Sequence, residues 1–345
     1  MKGTSSILLI YTGGTIGMRQ DPVDGTLKPF DFSQIIEEVP ELGKFGVRID
    51  SYTFDPLIDS SDVEPSLWQS LVELIQKRYD DHDGFVILHG TDTMAYSASA
   101  LSFMLDNLTK PVIFTGSQLP IGVPRTDGKE NLVSSVEIAA AKDEAGHALI
   151  PEVCIFFDSK LLRGNRSTKV SSEDFRAFGS PGYPALAEAG ISIKYNRRAI
   201  LTPESWSSTL KVAKTLDTRV SILKLHPGIT PQVVRNILCG SETRAVIIET
   251  YGSGNALSKQ WFIDIVKEAS QMGKILMNVT QCLSGTVNMD LYATGKALQK
   301  AGVVSGLDIT TESALGKLFY LMGKSRDNEW VKERLGENLK GEISK

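Results

Sequence analysis

The sequence predicts an α/β protein with two doubly wound α/β domains, a larger N-terminal parallel-sheet domain and a smaller C-terminal α/β domain. Three observations predict it. Short, continuous apolar runs alternate with helix-period segments, the pattern of repeated βα units. That alternation breaks at 195–219, a polar and charged stretch with no clear period, and then resumes. At 345 residues the chain is too long for one ordinary domain and suits two. The expected division is residues 1–195 for the first domain, 196–219 for a linker and 220–345 for the second.

The elements follow in order. The run at 6–11 is short and β-rich, as a strand buried on both faces should be. It leads into YTGGTIGM at 11–18, where Gly13 and Gly14 permit a sharp turn and Thr15 offers a hydroxyl at the strand's end. This is neither GxGxxG nor a GK[ST] loop, so no nucleotide fingerprint is met. An ordinary βα turn explains the glycine pair equally well. Residues 65–79 place Leu67, Trp68, Leu71, Val72 and Ile75 on one helical face, with Pro65 in the first turn. FVILH at 85–89 is the next strand and is followed by a helix over 95–107. PVIFT at 111–115, VCIFF at 153–157 and GISIK at 190–194 are further strands. After the break come strands at 220–225, 245–250 and 275–280, helices near 230–239 and 257–272, and a charged surface helix over Asp327–Leu339.

Composition excludes several classes. The net charge of −4 gives no electrostatic case for nucleic acid. No apolar stretch approaches the ~20 residues that span a bilayer, so no membrane association is expected. The N-terminus reads as a strand start and not as a signal peptide. Cys154, Cys239 and Cys282 are widely spaced without a CxxC pattern, and His82, His89, His147 and His226 form no ligand pair. No metal or other cofactor is therefore expected, and three free thiols suit a reducing cytoplasm.

The chemistry concentrates at strand ends. Thr91 and Asp92 follow the strand at 85–89, as Thr15 follows the first strand. In open α/β sheets such ends share one crevice. The loops Asp59–Asp62 (DSSD) and Thr115–Gln118 (TGSQ) add hydroxyls and carboxylates, a set suited to a small zwitterion. Each residue also has a plainer reading. Thr91 or Asp92 can cap the helix that follows. His89 reads as a hydrogen-bonded core histidine, Lys169 as a solvated lysine and Cys282 as a small buried hydrophobe.

YTGGTIGM and HGTDTMAYSASALSF resemble the two signature segments of the bacterial L-asparaginases. DSSD at 59–62, TGSQLP at 115–120, RGNRSTK at 163–169, YGSGNA at 251–256 and NVTQCLSG at 278–285 resemble the type I, cytoplasmic branch. The resemblance implies hydrolysis of L-asparagine to L-aspartate and ammonia through an acyl-threonine intermediate. It implies Thr15 as nucleophile and Thr91, Asp92 and Lys169 as a proton relay. It implies Ser60, Ser61 and Asp92 as substrate-binding, together with Asn255, which in the family reaches the ligand from a neighbouring subunit. A cytoplasmic homotetramer, built as a dimer of dimers, is implied as well. One departure stands out. The family's usual tyrosine in the loop after the first strand is absent, and Thr26 is the aligned position, within a segment 18–30 expected to form a lid. L-glutaminase activity, an ammonia-supplying subunit of tRNA amidation and a non-hydrolysing asparagine sensor are the alternative readings.

Overall fold

The computed structural model describes residues 4–20, 27–29 and 39–344. The chain divides into two units, Met1–Lys214 and Thr215–Lys345. In the first, an eight-stranded sheet contains β1 (Ser6–Tyr11), β2 (Arg48–Thr53), β3 (Gly84–Leu88), β4 (Val112–Thr115), β5 (Val153–Phe157), β6 (Lys160–Arg163), β7 (Ala187–Ala189) and β8 (Ile193–Tyr195). The spatial order is β8-β7-β6-β5-β4-β3-β1-β2. β1 to β5 are parallel, and β6 to β8 extend the sheet antiparallel.

Helices cover both faces. α1 (Pro65–Arg78) and α2 (Met94–Met104) pack together, and α2 also lies on β5. α3 (Gly128–Ala140) lies on the strands from the other side. Ile7, Leu9 and Tyr11 join Val86, Leu88, Leu132 and Val136 in one core, as the two-residue period of a strand requires. β1, β3, β4 and β5 are buried along their whole length, which is why they read as unbroken apolar runs. β2, at the sheet edge, is largely exposed; its sequence RIDSYT carries no such run and was not expected as a strand.

The chain leaves β1 for the edge strand β2, then returns past β1 to β3. The strand order therefore reverses between β1 and β3, and the carboxyl ends of those two strands flank the crevice that such a reversal opens.

The second unit has a parallel sheet in sequential order, β9 (Val220–Lys224), β10 (Ala245–Thr250), β11 (Ile275–Thr280) and β12 (Val304–Ser305). Its helices are α4 (Pro231–Leu238), α5 (Gln260–Gln271), α6 (Ala293–Lys300), α7 (Thr311–Lys324) and α8 (Asn328–Leu335). Val234, Phe262, Val266 and Leu298 from α4 to α6 share a core with Val246, Ile248 and Leu276 of the sheet. Among the described residues, no helix is long and apolar enough to cross a membrane.

The stretch expected as a linker, 196–219, is divided between the units at Lys214 and Thr215. Its first part is structural: Ala199 is buried in the first core, the Ala199 carbonyl accepts from Arg163, and Lys211–Val212 pairs with Leu105–Asp106. Strands only two residues long leave no period to read. The lid expected over 18–30 is described only at Met18–Gln20 and Leu27–Pro29, which pair antiparallel. Thr26 and the rest of that segment lie outside the described residues.

Candidate active site

Three loops meet at the reversal. Thr12 follows β1, and both its amide and its hydroxyl donate to the Leu88 carbonyl at the end of β3, at 3.0 and 2.9 Å. Gly14 has φ +92°, and a Cβ there would lie 2.5 Å from the Gly90 nitrogen. The loop after β1 thus touches the loop after β3 backbone to backbone. Thr15 and Thr91 each stand one residue beyond that contact. Thr15 is half-buried and opens a 3-10 turn, Thr15–Gly17.

Ser60, from the loop after β2, fills the seam. Its hydroxyl accepts from the Asp92 amide at 3.3 Å, and its carbonyl accepts from the Thr93 hydroxyl at 2.6 Å. Ser60 is buried, whereas Ser61 is exposed. The Asp59 carboxylate accepts from both the amide and the hydroxyl of Ser61, each at 2.9 Å. Those two bonds hold the Asp59 carboxyl below its ordinary range. Sequence reasoning did not single out Asp59 as a site residue; an aspartate two positions before a serine is the Asx-turn spacing that could have done so.

Lys169 closes the group. It leaves the short strand Thr168–Lys169, and its Nζ donates to Thr91 Oγ1 at 2.8 Å and to Asp92 Oδ1 at 2.6 Å. Its side chain is 20% exposed, against 61% for Asp92. The plain reading of Lys169 as a solvated lysine therefore does not hold. Thr91, Asp92, Lys169 and Ser60 are bonded into one cluster beside the Thr15 loop.

The TGSQ loop contributes less than expected. The Thr115 hydroxyl donates to the Phe156 carbonyl and that of Ser117 to the Leu119 carbonyl. The Gln118 and Leu119 amides donate to the Asp127 carboxylate. Asn255 lies in the second unit, where it bridges to Tyr251 and its Oδ1 accepts from the Thr294 hydroxyl. Asn278 and Thr280 donate to the Gly254 and Gly252 carbonyls of that same turn, at 3.1 and 2.6 Å. Cys282 is exposed and not buried, because it stands in the polar loop after β11.

His89 is buried. Its Nδ1 lies 2.7 Å from the Gly90 carbonyl, and its Nε2 lies 3.0 Å from the Ser97 hydroxyl, which also accepts from Trp68 Nε1 at 2.9 Å. Desolvation depresses its pKa to about 4, so the ring stays neutral in the fold.

Known proteins are similar to this chain along nearly its whole length. The family described as Asparaginase, N-terminal, matches residues 6–201, and the Glutaminase/Asparaginase C-terminal domain matches residues 219–335. The chain is 44% identical to L-asparaginase 1 of Escherichia coli strain K12, covering 98% of each. The crystal structure of L-asparaginase I from Vibrio cholerae is similar with a TM-score of 0.90 and 41% identity, covering 99% of this chain and 100% of that one. The thermostable L-asparaginase from Thermococcus kodakarensis is similar with a TM-score of 0.88 and 30% identity, covering 99% of each chain. The chain belongs to the asparaginase family.

Two outcomes follow from the geometry. Gly14→Ala forces a side chain against the Gly90 backbone at a positive φ, and is expected to cost roughly 1–3 kcal/mol of stability. Urea denaturation checks this, and an unchanged midpoint contradicts it. His89 binds a proton below about 4 in the fold but at its ordinary value of 6.5 when unfolded. The unfolded state is then the better proton binder, so stability falls as pH drops from about 6.5 to about 4, by about 3 kcal/mol from this group. His89→Asn should flatten the pH dependence of the urea midpoint over that window. A slope identical to that of the unsubstituted protein contradicts the assignment.

Proposed function

We propose that this member of the asparaginase family hydrolyses the side-chain amide of L-asparagine to L-aspartate and ammonia, with Thr15 as nucleophile. One observation carries the reading. Lys169 Nζ lies within hydrogen-bond distance of both Thr91 and Asp92, on the loop that abuts the Thr15 loop at the strand reversal.

A threonine hydroxyl is a weak nucleophile and needs a group to take its proton. Thr91 is that group: it takes the Thr15 proton while passing its own to Lys169 Nζ, which accepts it as a neutral amine. Thr15 Oγ attacks the amide carbon while its proton passes to the relay. Backbone N–H donors of the strand-end loops hold the tetrahedral oxyanion, each typically contributing ~3–4 kcal/mol. Collapse breaks the C–N bond, and ammonia leaves with a proton returned to it. Water then attacks the acyl-threonine ester, its proton passing to the same relay, and Thr15 is regenerated as aspartate departs. Asp92 holds Lys169 and, through its exposed face, meets the substrate ammonium. Ser61, with its hydroxyl oriented by Asp59, binds the α-substituents alongside Ser60.

The enzyme acts in the cytoplasm without a metal or other cofactor, as a homotetramer arranged as a dimer of dimers. Asn255 enters the site of a neighbouring subunit. The constellation also favours catalysis over sensing, because an asparagine sensor has no use for a hydroxyl nucleophile beside a lysine relay. Glutamine, one methylene longer, is the competing substrate, and ammonia release from each measures the preference.

Thr15→Ala is expected to abolish ammonia release while substrate binding survives; near-normal kcat in that variant contradicts the nucleophile. Thr91→Val and Lys169→Met should each cost orders of magnitude in kcat, and the double variant little more, because a relay acts as a unit. Full additivity of the two free energies contradicts a shared relay. For the shared site, Thr15→Ala and a disabling Asn255 variant are mixed under conditions of subunit exchange. If Asn255 acts in trans, a mixed dimer has one site with both defects and one with neither, and activity returns toward half per dimer. If the mixture stays inactive although exchange is demonstrated, Asn255 acts in cis.

A further inference from the structure

The Thr91–Asp92 loop needs something to fix the peptide that carries Thr91. Gly90 cannot do so through its own side chain, and as glycine it has the widest choice of backbone conformations. A chain of three buried hydrogen bonds runs to that peptide from α1 and α2: Trp68 Nε1 to Ser97 Oγ at 2.9 Å, Ser97 Oγ to His89 Nε2 at 3.0 Å, and His89 Nδ1 to the Gly90 carbonyl at 2.7 Å. Ser97 is 0% exposed, His89 1% and Trp68 5%, so water does not compete for these groups.

The direction of every proton in the chain is determined from its ends. The Gly90 carbonyl can only accept, so His89 Nδ1 carries the hydrogen. The ring is neutral, so Nε2 is bare and accepts from the Ser97 hydroxyl. Trp68 can only donate, and its N–H completes the Ser97 oxygen. The ring is also braced edge-on by Phe114 at 5.7 Å between centroids. A trans peptide holds its C=O and N–H on opposite sides. With the Gly90 carbonyl drawn to the buried ring, the Thr91 amide points the other way.

We propose that His89, set by Ser97 and Trp68, is the positioning residue of the catalytic loop: its Nδ1–H fixes the Gly90–Thr91 peptide and so aims the Thr91 hydroxyl and amide. This rests on the role given to Thr91 above. His89 does not touch substrate and moves no proton during turnover. The chain instead couples the packing of α1 and α2 to the orientation of one peptide plane, and a buried network with every member satisfied is well suited to that task.

The test has a spectroscopic and a kinetic arm. In the 15N-labelled protein at neutral pH, His89 should show a protonated Nδ1 and an unprotonated Nε2; the reverse tautomer overturns the proposal. His89→Leu removes the donor and should lower kcat roughly 10- to 100-fold with KM little changed. His89→Asn places an amide nitrogen where Nδ1 stood and should restore most of the loss. A folded His89→Leu variant with unchanged kcat overturns the proposal, as does an Asn variant no better than Leu. Should His89→Leu fail to fold, Ser97→Ala serves instead: it frees the ring and should lower kcat without raising KM, and an unchanged kcat overturns the proposal. Thr91→Val, assayed in parallel, reports on the functional reading itself. If it loses turnover while the His89 and Ser97 variants keep theirs, the positioning role alone fails. If it keeps turnover, the reading fails and the positioning role with it.

Discussion

Everything at the site depends on a backbone contact that side chains would forbid. Gly14 and Gly90 bring the loops after β1 and β3 together where the strand order reverses, and a Cβ on either has no room. Thr15 is carried by one loop, Thr91 and Asp92 by the other. The close approach therefore sets the distance between Thr15 and the Thr91–Asp92 pair before any side chain adopts a rotamer. Ser60 wedges the seam from a third loop, so that the position of the Asp92 amide is fixed by a residue that arrives from the sheet edge. The glycines are required here for approach, and the positive φ of Gly14 follows from that approach.

The Thr91–Asp92–Lys169 cluster depends in turn on a second, more distant support. Lys169 sits on a strand of two residues, which cannot hold a side chain in place by itself. The segment leading to it is anchored by Arg163, whose guanidinium binds Glu152 at 2.6 Å and the Ala199 carbonyl at 2.7 Å in a buried setting. Glu152 also accepts from the Leu201 amide. Removing one member leaves a buried charge unpaired, a cost of about 3–5 kcal/mol. Residues 196–201, which have no recognisable period, thus hold the base of the strand that carries Lys169.

The legible parts of the chain are those in which burial and period agree. β1, β3, β4 and β5 are buried on both faces and read as apolar runs; α1 shows its core face as a clean helical stripe. α3 was not legible because its buried face includes Ser134 and Ser135, which bond back to Glu130 and Asn131 and interrupt the stripe. α7 has the same difficulty with Lys317, fully buried and paired with Glu342 at 2.6 Å. Of the site, Thr15, Thr91 and Asp92 were legible as hydroxyls and a carboxylate at strand ends, a position that follows from topology. Lys169 was legible only through the family motif RGNRSTK. Its partners lie 77 and 78 residues away in sequence, and no local spacing encodes that distance. The converse error was Thr115 and Ser117, which stand at a strand end as expected but donate to main-chain carbonyls.

The central claim is that Thr15 forms a covalent bond to the substrate and that the Thr91–Asp92–Lys169 cluster serves it. Rapid acid quenching during turnover of asparagine, followed by peptide mapping by mass spectrometry, tests this directly. The account predicts one aspartyl acyl group on the peptide that contains Thr15. Acylation of Thr91 instead, or turnover with no acylated peptide at any quench time, contradicts it.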